Sequence, residues 1–182
     1  METGFIILLS ALLVIAMIPA LYKKRYSITH SVTVIRPKQE VFDYLRHFNN
    51  QNEWAEWIKA DPAMKISCSG TDGQEGFMYK WQSGLKNVGK GTQKITKIID
   101  GKRIDYDLFI AGKPTVRCSW LIKDSVEKYN TDIIWVVTGR ISYPKNLMMF
   151  FFERSVDKIM HKELAMLKVR LEHSMWREAS LA

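Results

Sequence analysis

The chain has 182 residues, enough for one domain and an appendage, and with 47% hydrophobic and 25% charged residues it has an ordinary globular composition. Net charge is +8, and removing residues 1–25 still leaves 24 basic against 18 acidic side chains. The bases are scattered in runs of no more than three, which argues against a nucleic-acid groove and for a modestly basic face beside an anionic leaflet.

Phe5 to Tyr22 reads FIILLSALLVIAMIPALY, 18 residues without a charge. At helical rise it spans about 27 Å, close to the roughly 30 Å hydrocarbon core of a bilayer. Pro19 stands near its far end, where a freed carbonyl is tolerated. A cleavable signal needs bases before the apolar run and small residues before the cut. Here Met-Glu-Thr-Gly leads and Lys23-Lys24-Arg25 follows. A retained anchor over residues 1–26 fits best, with a signal peptide and a buried core helix as the competing readings. The positive-inside rule then places the remaining domain, residues 27–182, on the cytoplasmic side of a cell membrane that it crosses once.

Ser27 to Arg36 alternates, with Ile28, His30, Val32 and Val34 on one face, which predicts a strand. Arg36-Pro37 ends it and suits the first turn of a helix. Lys38 to Arg46 places Val41, Phe42 and Leu45 at helical spacing, Asn49-Asn-Gln-Asn52 breaks the pattern, and a short helix or turn carries Trp54 and Trp57 to Asp61-Pro62. Six strands follow: Met64–Ser69, the alternating Phe77, Tyr79 and Trp81, then Val88–Ile99, Arg103–Ile110, Thr115–Lys123 and Tyr129–Arg140. Asp100-Gly101 predicts a two-residue hairpin.

From Tyr143 to Met175 the period changes. Met149, Phe152, Val156, Met160, Leu164, Leu167 and Leu171 fall on one stripe at about 100° per residue, with Arg154, Lys158, Lys162 and Lys168 off it. A helix with so wide an apolar face after a run of strands needs a sheet to cover. Connections this short exclude a parallel sheet. The expected fold is α+β: a curved antiparallel sheet of about seven strands wrapped around a long C-terminal helix, the helix-grip arrangement, preceded by one transmembrane helix.

Three stretches give the chain a family resemblance. They are Ser31-Val-Thr-Val-Ile-Arg-Pro-Lys-Gln-Glu-Val-Phe-Asp-Tyr-Leu45, then Trp54-Ala-Glu-Trp57 with Asp61-Pro62, and Asp157-Lys-Ile-Met160 continuing through Glu163-Leu164, Leu167-Lys168 and Glu172. In these, over about residues 27–174, the chain resembles the START-like (SRPBCC) superfamily in its polyketide cyclase/dehydrase and lipid-transport branch. The resemblance implies a cavity for an apolar molecule more than it implies a reaction. Relatives often carry glycine where Met160 and Glu163 stand, so the space beneath this helix is expected to be narrowed.

Alternation supplies the inward faces: Phe77, Tyr79 and Trp81; Tyr106, Leu108 and Ile110; Cys118 and Trp120; Ile133 and Trp135. An apolar pocket with a few polar handles would draw its ligand contacts from Tyr79, Trp81, Gln93, Tyr106, Trp120, Trp135, Met160, Glu163 and Leu164. The competing reading is a filled core in which the same rings pack on each other. Glu163 lies within the apolar stripe and is the candidate to receive a ligand hydroxyl or act as a general acid. Its bland alternative is solvation at a mouth of the grip, or pairing with a strand Lys or Arg. Gln93 shares a face with Gly91 and Ile95. Asp105 and Asp107 share the opposite face to Tyr106, so solvation rather than acid–base work is expected of them. His30 has no companion ligand at metal spacing, Cys68 and Cys118 stand 49 residues apart, and no cofactor motif occurs. Three functions follow from these readings: a membrane-tethered module for a lipid-like or polyketide-like molecule, a regulatory domain with a solid core, and a cyclase or dehydratase.

Overall fold

The structure is a computed structural model that describes residues 25–179, together with Gly4, Ile6, Ile7 and Ser10. The expected anchor therefore falls almost wholly outside the described residues, among which no helix is long and apolar enough to cross a membrane.

Seven strands form one sheet: β1 (Arg25–Val34), β2 (Lys65–Ser69), β3 (Met78–Gln82), β4 (Lys90–Ile99), β5 (Arg103–Ile110), β6 (Val116–Asp124) and β7 (Thr131–Arg140). Every pairing is antiparallel, in the order β1-β7-β6-β5-β4-β3-β2. Between β1 and β2, at opposite edges, the chain passes through α1 (Lys38–Arg46), α2 (Gln51–Trp54) and α3 (Glu56–Lys59). After β7 a 3-10 turn, Lys145–Met148, leads into α4 (Met149–Ala179). This is the α+β helix-grip arrangement that the change of period predicts.

The predicted stripe is the buried face of α4. Met149, Met160, Leu164, Leu167 and Leu171 are buried, Phe152 and Val156 half-buried, and Lys158 and Lys162 exposed. Each fully buried side chain of this size contributes about 1.5–3 kcal/mol, so the stripe accounts for most of the helix's hold on the sheet. Pro37 precedes α1 in an extended conformation (ψ 141°), and Val41, Phe42 and Leu45 are buried as their spacing requires. A bulge between Ile95 and Lys97 bends β4.

Several strand bounds differ from expectation by a residue or two, β4 starting at Lys90 rather than Val88 and β7 at Thr131 rather than Tyr129, and two differences have a visible cause. The first strand begins two residues earlier, at Arg25, and ends at Val34, because the Ile35 N–H is turned out of the ladder to Glu172 Oε1 at 3.2 Å. The Asp100-Gly101 hairpin has a three-residue loop, since Ile99 pairs with Arg103. A two-residue type I′ loop demands positive φ at both central positions. Only Gly101 takes it, at φ 62°, and Lys102 completes the turn with its N–H on the Ile99 carbonyl.

Candidate functional site

The register aligns the inner face in cross-strand rows. Tyr79, Gln93, Leu108 and Val116 form one, and Ile95, Tyr106, Cys118, Val137 and Ile28 the next. Ile104, Trp120, Trp135 and His30 form a third. The predicted inward set does face α4, and all nine candidate contacts are on that side or on the helix stripe.

The candidates separate into two clusters. In the first, Trp120 and Trp135 stack with centroids 4.6 Å apart, and Trp135 Nε1 donates to the Tyr106 hydroxyl at 3.0 Å. Burial raises the Tyr106 phenol well above its ordinary pKa, and burial pushes the Cys118 thiol, hydrogen-bonded to that phenol, up to about 12. Neither group ionises at neutral pH. The second cluster draws its polar partners from the segment between β1 and β2. Tyr79 donates to Asn52 Oδ1 at 2.6 Å, and Gln51 Nε2 donates to Gln93 Oε1 at 2.8 Å. Trp57 lies across Trp81 at 4.9 Å. The Trp81 Nε1–H is buried without an acceptor among the described residues. Gln51 and Asn52 escape sequence reasoning because they sit in a run that signals only a break in the helix.

Glu163 is 5% exposed and neither solvated nor paired with a strand base. Its oxygens accept the Glu56 N–H at 3.2 and 3.3 Å, and the Trp57 N–H also points to it, so it holds α3 against α4. Desolvation raises its pKa to about 7 despite those bonds. His30 Nε2 stands 2.7 Å from Asp157 Oδ1 on α4. Asp105 is on the outer face as expected, but its side chain is mostly covered rather than solvated, accepting from Arg103 and Ser119 at 2.7 and 2.6 Å. No group of His, Cys, Asp and Glu among the described residues could hold a metal.

The interior is closely covered at one end and less covered at the other. Tyr79, Ile95, Ile104, Ile133 and Leu167 retain 0% accessibility, and a side chain bordering a void large enough for water would retain some. At the closely covered end Arg36 Nε donates to the Leu171 carbonyl at 3.0 Å, and Thr131 Oγ1 to the Arg36 carbonyl at 2.6 Å. Towards the strand end where β1 begins, the inward-facing Leu108, Ile110 and Val116 are only half-buried, as are Phe152 and Val156 on the first turns of α4. Phe152 packs edge-on to Tyr26 at 5.0 Å, which fixes the start of α4 to this end. The arrangement is a closed core of aromatic rings with phenol, amide and indole groups, flanked at one end by half-buried apolar side chains.

A curved antiparallel sheet gripping a C-terminal helix defines the helix-grip class of folds. The sequence matches the family described as polyketide cyclase / dehydrase and lipid transport over residues 25–172, and the chain belongs to that family. No curated protein matches it in sequence. Among solved structures it is similar to the Aha1 dimer of Colwellia psychrerythraea (16% identity, 81% of this chain and 96% of that one, TM-score 0.56). CalU16 of Micromonospora echinospora is 18% identical over 83% of this chain and 79% of that one, at TM-score 0.53. SA2116 of Staphylococcus aureus, a protein of unknown function, is 8% identical over 90% and 99%, at TM-score 0.59. At these identities the likeness establishes the fold.

Proposed function

We propose that the chain is a membrane-tethered module that takes an apolar, lipid-like molecule through the half-buried mouth between α4 and the ends of β5 and β6. The observation that carries this reading is the asymmetry of the interior: closely covered where Arg36 meets α4, but lined at the other end by Leu108, Ile110, Val116, Phe152 and Val156, none of them fully covered. The family's description as lipid transport supports an apolar ligand. The uncharged stretch of residues 5–22 supports a tether that keeps the mouth beside a reservoir of such molecules. Trp81 lies in the row of Ile110, and its unpartnered Nε1–H is the donor that a carbonyl or hydroxyl oxygen on the ligand would meet.

Delipidated full-length protein titrated with a fluorescent fatty acyl probe is expected to bind saturably. At a hundredfold excess over Kd the protein gains about 2.7 kcal/mol, a rise of several degrees in Tm. Leu108→Trp, which fills the mouth, is expected to abolish binding with little change in Tm. Trp81→Phe is expected to weaken an oxygen-bearing probe about fivefold, the worth of one hydrogen bond. No saturable binding and no thermal shift at any probe concentration would favour the second reading, a regulatory domain. That alternative draws on the zero accessibility of Tyr79 and its neighbours.

A further inference from the structure

The outer face of the sheet carries a feature that the mouth does not use. A groove of about 570 Å³ crosses β2, β3, β4 and β5. Its floor is backbone: Ile66, Trp81, Gly91 and Ile110 align in one row whose side chains point to the inner face, Gly91 having none. The outward residues on either side of that row form the walls. Lys65 and Lys90 stand on one, Lys80 and Phe109 on the other, and Lys113 closes the end beyond β5. All four lysines are exposed, Phe109 is 41% exposed, and no carboxylate lines the groove. None of the four ammonium groups forms an ion pair among the described residues.

The groove's position gives it a direction. Lys65 and Lys90 begin their strands, and the register puts those starts at the same end of the sheet as Arg25, Arg117 and Arg140. The opposite end holds Asp72, Glu75, Asp100, Asp124 and Asp132 among its bases, so the molecule is positively polarised along the strands towards the end where β1 begins. The half-buried apolar side chains proposed above as the mouth are at that same end.

We propose that this groove docks the domain on the headgroups of anionic phospholipids and turns the mouth to the bilayer. Lysine ammonium groups are compact point charges suited to diffuse phosphate charge, and no arginine fork of the kind that reads a nucleic acid lines the groove. The choice of a bilayer over another polyanion rests on the tethered reading above. The uncharged stretch of residues 5–22 joins the domain at this end through Lys23-Lys24-Arg25.

The test is lysine footprinting of the full-length protein with an amine-reactive reagent, read by peptide mass spectrometry. Vesicles of phosphatidylcholine alone are compared with vesicles that also contain phosphatidylglycerol. Labelling of Lys65, Lys80, Lys90 and Lys113 is expected to slow about fivefold on the anionic vesicles relative to the neutral ones, and to recover in high salt. Lys123 and Lys128, at the far end, should be unchanged. If the chain is recovered with anionic vesicles only and the four lysines are protected, the dock stands and the tether fails. If it is recovered with both kinds and the four label equally, the tether stands and the dock is overturned. Recovery with neither vesicle overturns the dock as well. Stronger protection by a single-stranded oligonucleotide or an acidic peptide than by anionic vesicles would also overturn it, giving the groove to that polyanion.

Discussion

The carboxyl of Glu163 sits beside Met160, Leu164 and Leu167 and is met by two backbone N–H groups, yet burial dominates and its pKa rises from 4.5 to about 7. The folded chain thus holds this proton to higher pH than the unfolded chain does. The contribution of Glu163 to stability is therefore fully present below pH 4.5, is lost as pH rises through about 7, and is level above it. The full difference corresponds to about 3 kcal/mol. Glu163→Gln is expected to remove that slope in urea unfolding followed across the same pH range, and a slope that survives would assign the titration to another group. Gly91 makes a steric argument of the same local kind. A Cβ there would stand 2.5 Å from the Trp81 ring and against the Phe109 carbonyl, and that ring is fixed by Trp57. Gly91→Ala is expected to cost about 1–3 kcal/mol, read as a lower Tm.

The segment α1–α3 is tied to α4 by contacts of unequal worth. Arg170 meets Glu53 through two nitrogens at 2.7 and 2.6 Å, and Lys162 meets Glu56 at 2.6 Å, but all four side chains are substantially exposed. Such pairs contribute little, and Glu53→Ala is expected to cost less than about 1 kcal/mol. Leu164, 3% exposed on the same helix, is expected to cost about 2–5 kcal/mol on truncation to Ala. Denaturant unfolding of the two variants checks the ordering, and equal losses would mean that the ion pairs carry the helix. This hierarchy explains what the sequence makes legible. Burial follows a period, so the α4 stripe, the alternating faces of Tyr79, Tyr106 and Trp135, and the inward position of Glu163 can all be read from spacing. Partners depend on which distant segment arrives, so Asn52 on Tyr79, Gln51 on Gln93 and the Glu56 N–H on Glu163 cannot. The hairpin loop fails for a related reason: the dipeptide Asp100-Gly101 permits a two-residue turn, but the conformation that Asp100 adopts does not.

For the molecule as a whole, the decisive relation is between the domain and the stretch that precedes it. The ladder of β1 with β7 starts at Arg25 and runs unbroken to Val34, and Tyr26 is already buried over Gly139 and against Phe152. Among the described residues, the core formed by these side chains, the sheet rows and the α4 stripe is built from residue 25 onward. A tether is a separable part; a core helix is not. Deleting residues 1–24 is therefore expected to leave one cooperative unfolding transition, with Tm within a few degrees of that of the full chain. One kcal/mol shifts Tm by about 2–4 °C for a domain of this size, so a lost core helix would lower it by far more. The same deletion is expected to move the protein from the membrane fraction to the soluble one. A collapsed melting transition would give residues 5–22 to the core, and an intact one with unchanged membrane recovery would leave the lysine groove to hold the domain on the bilayer alone.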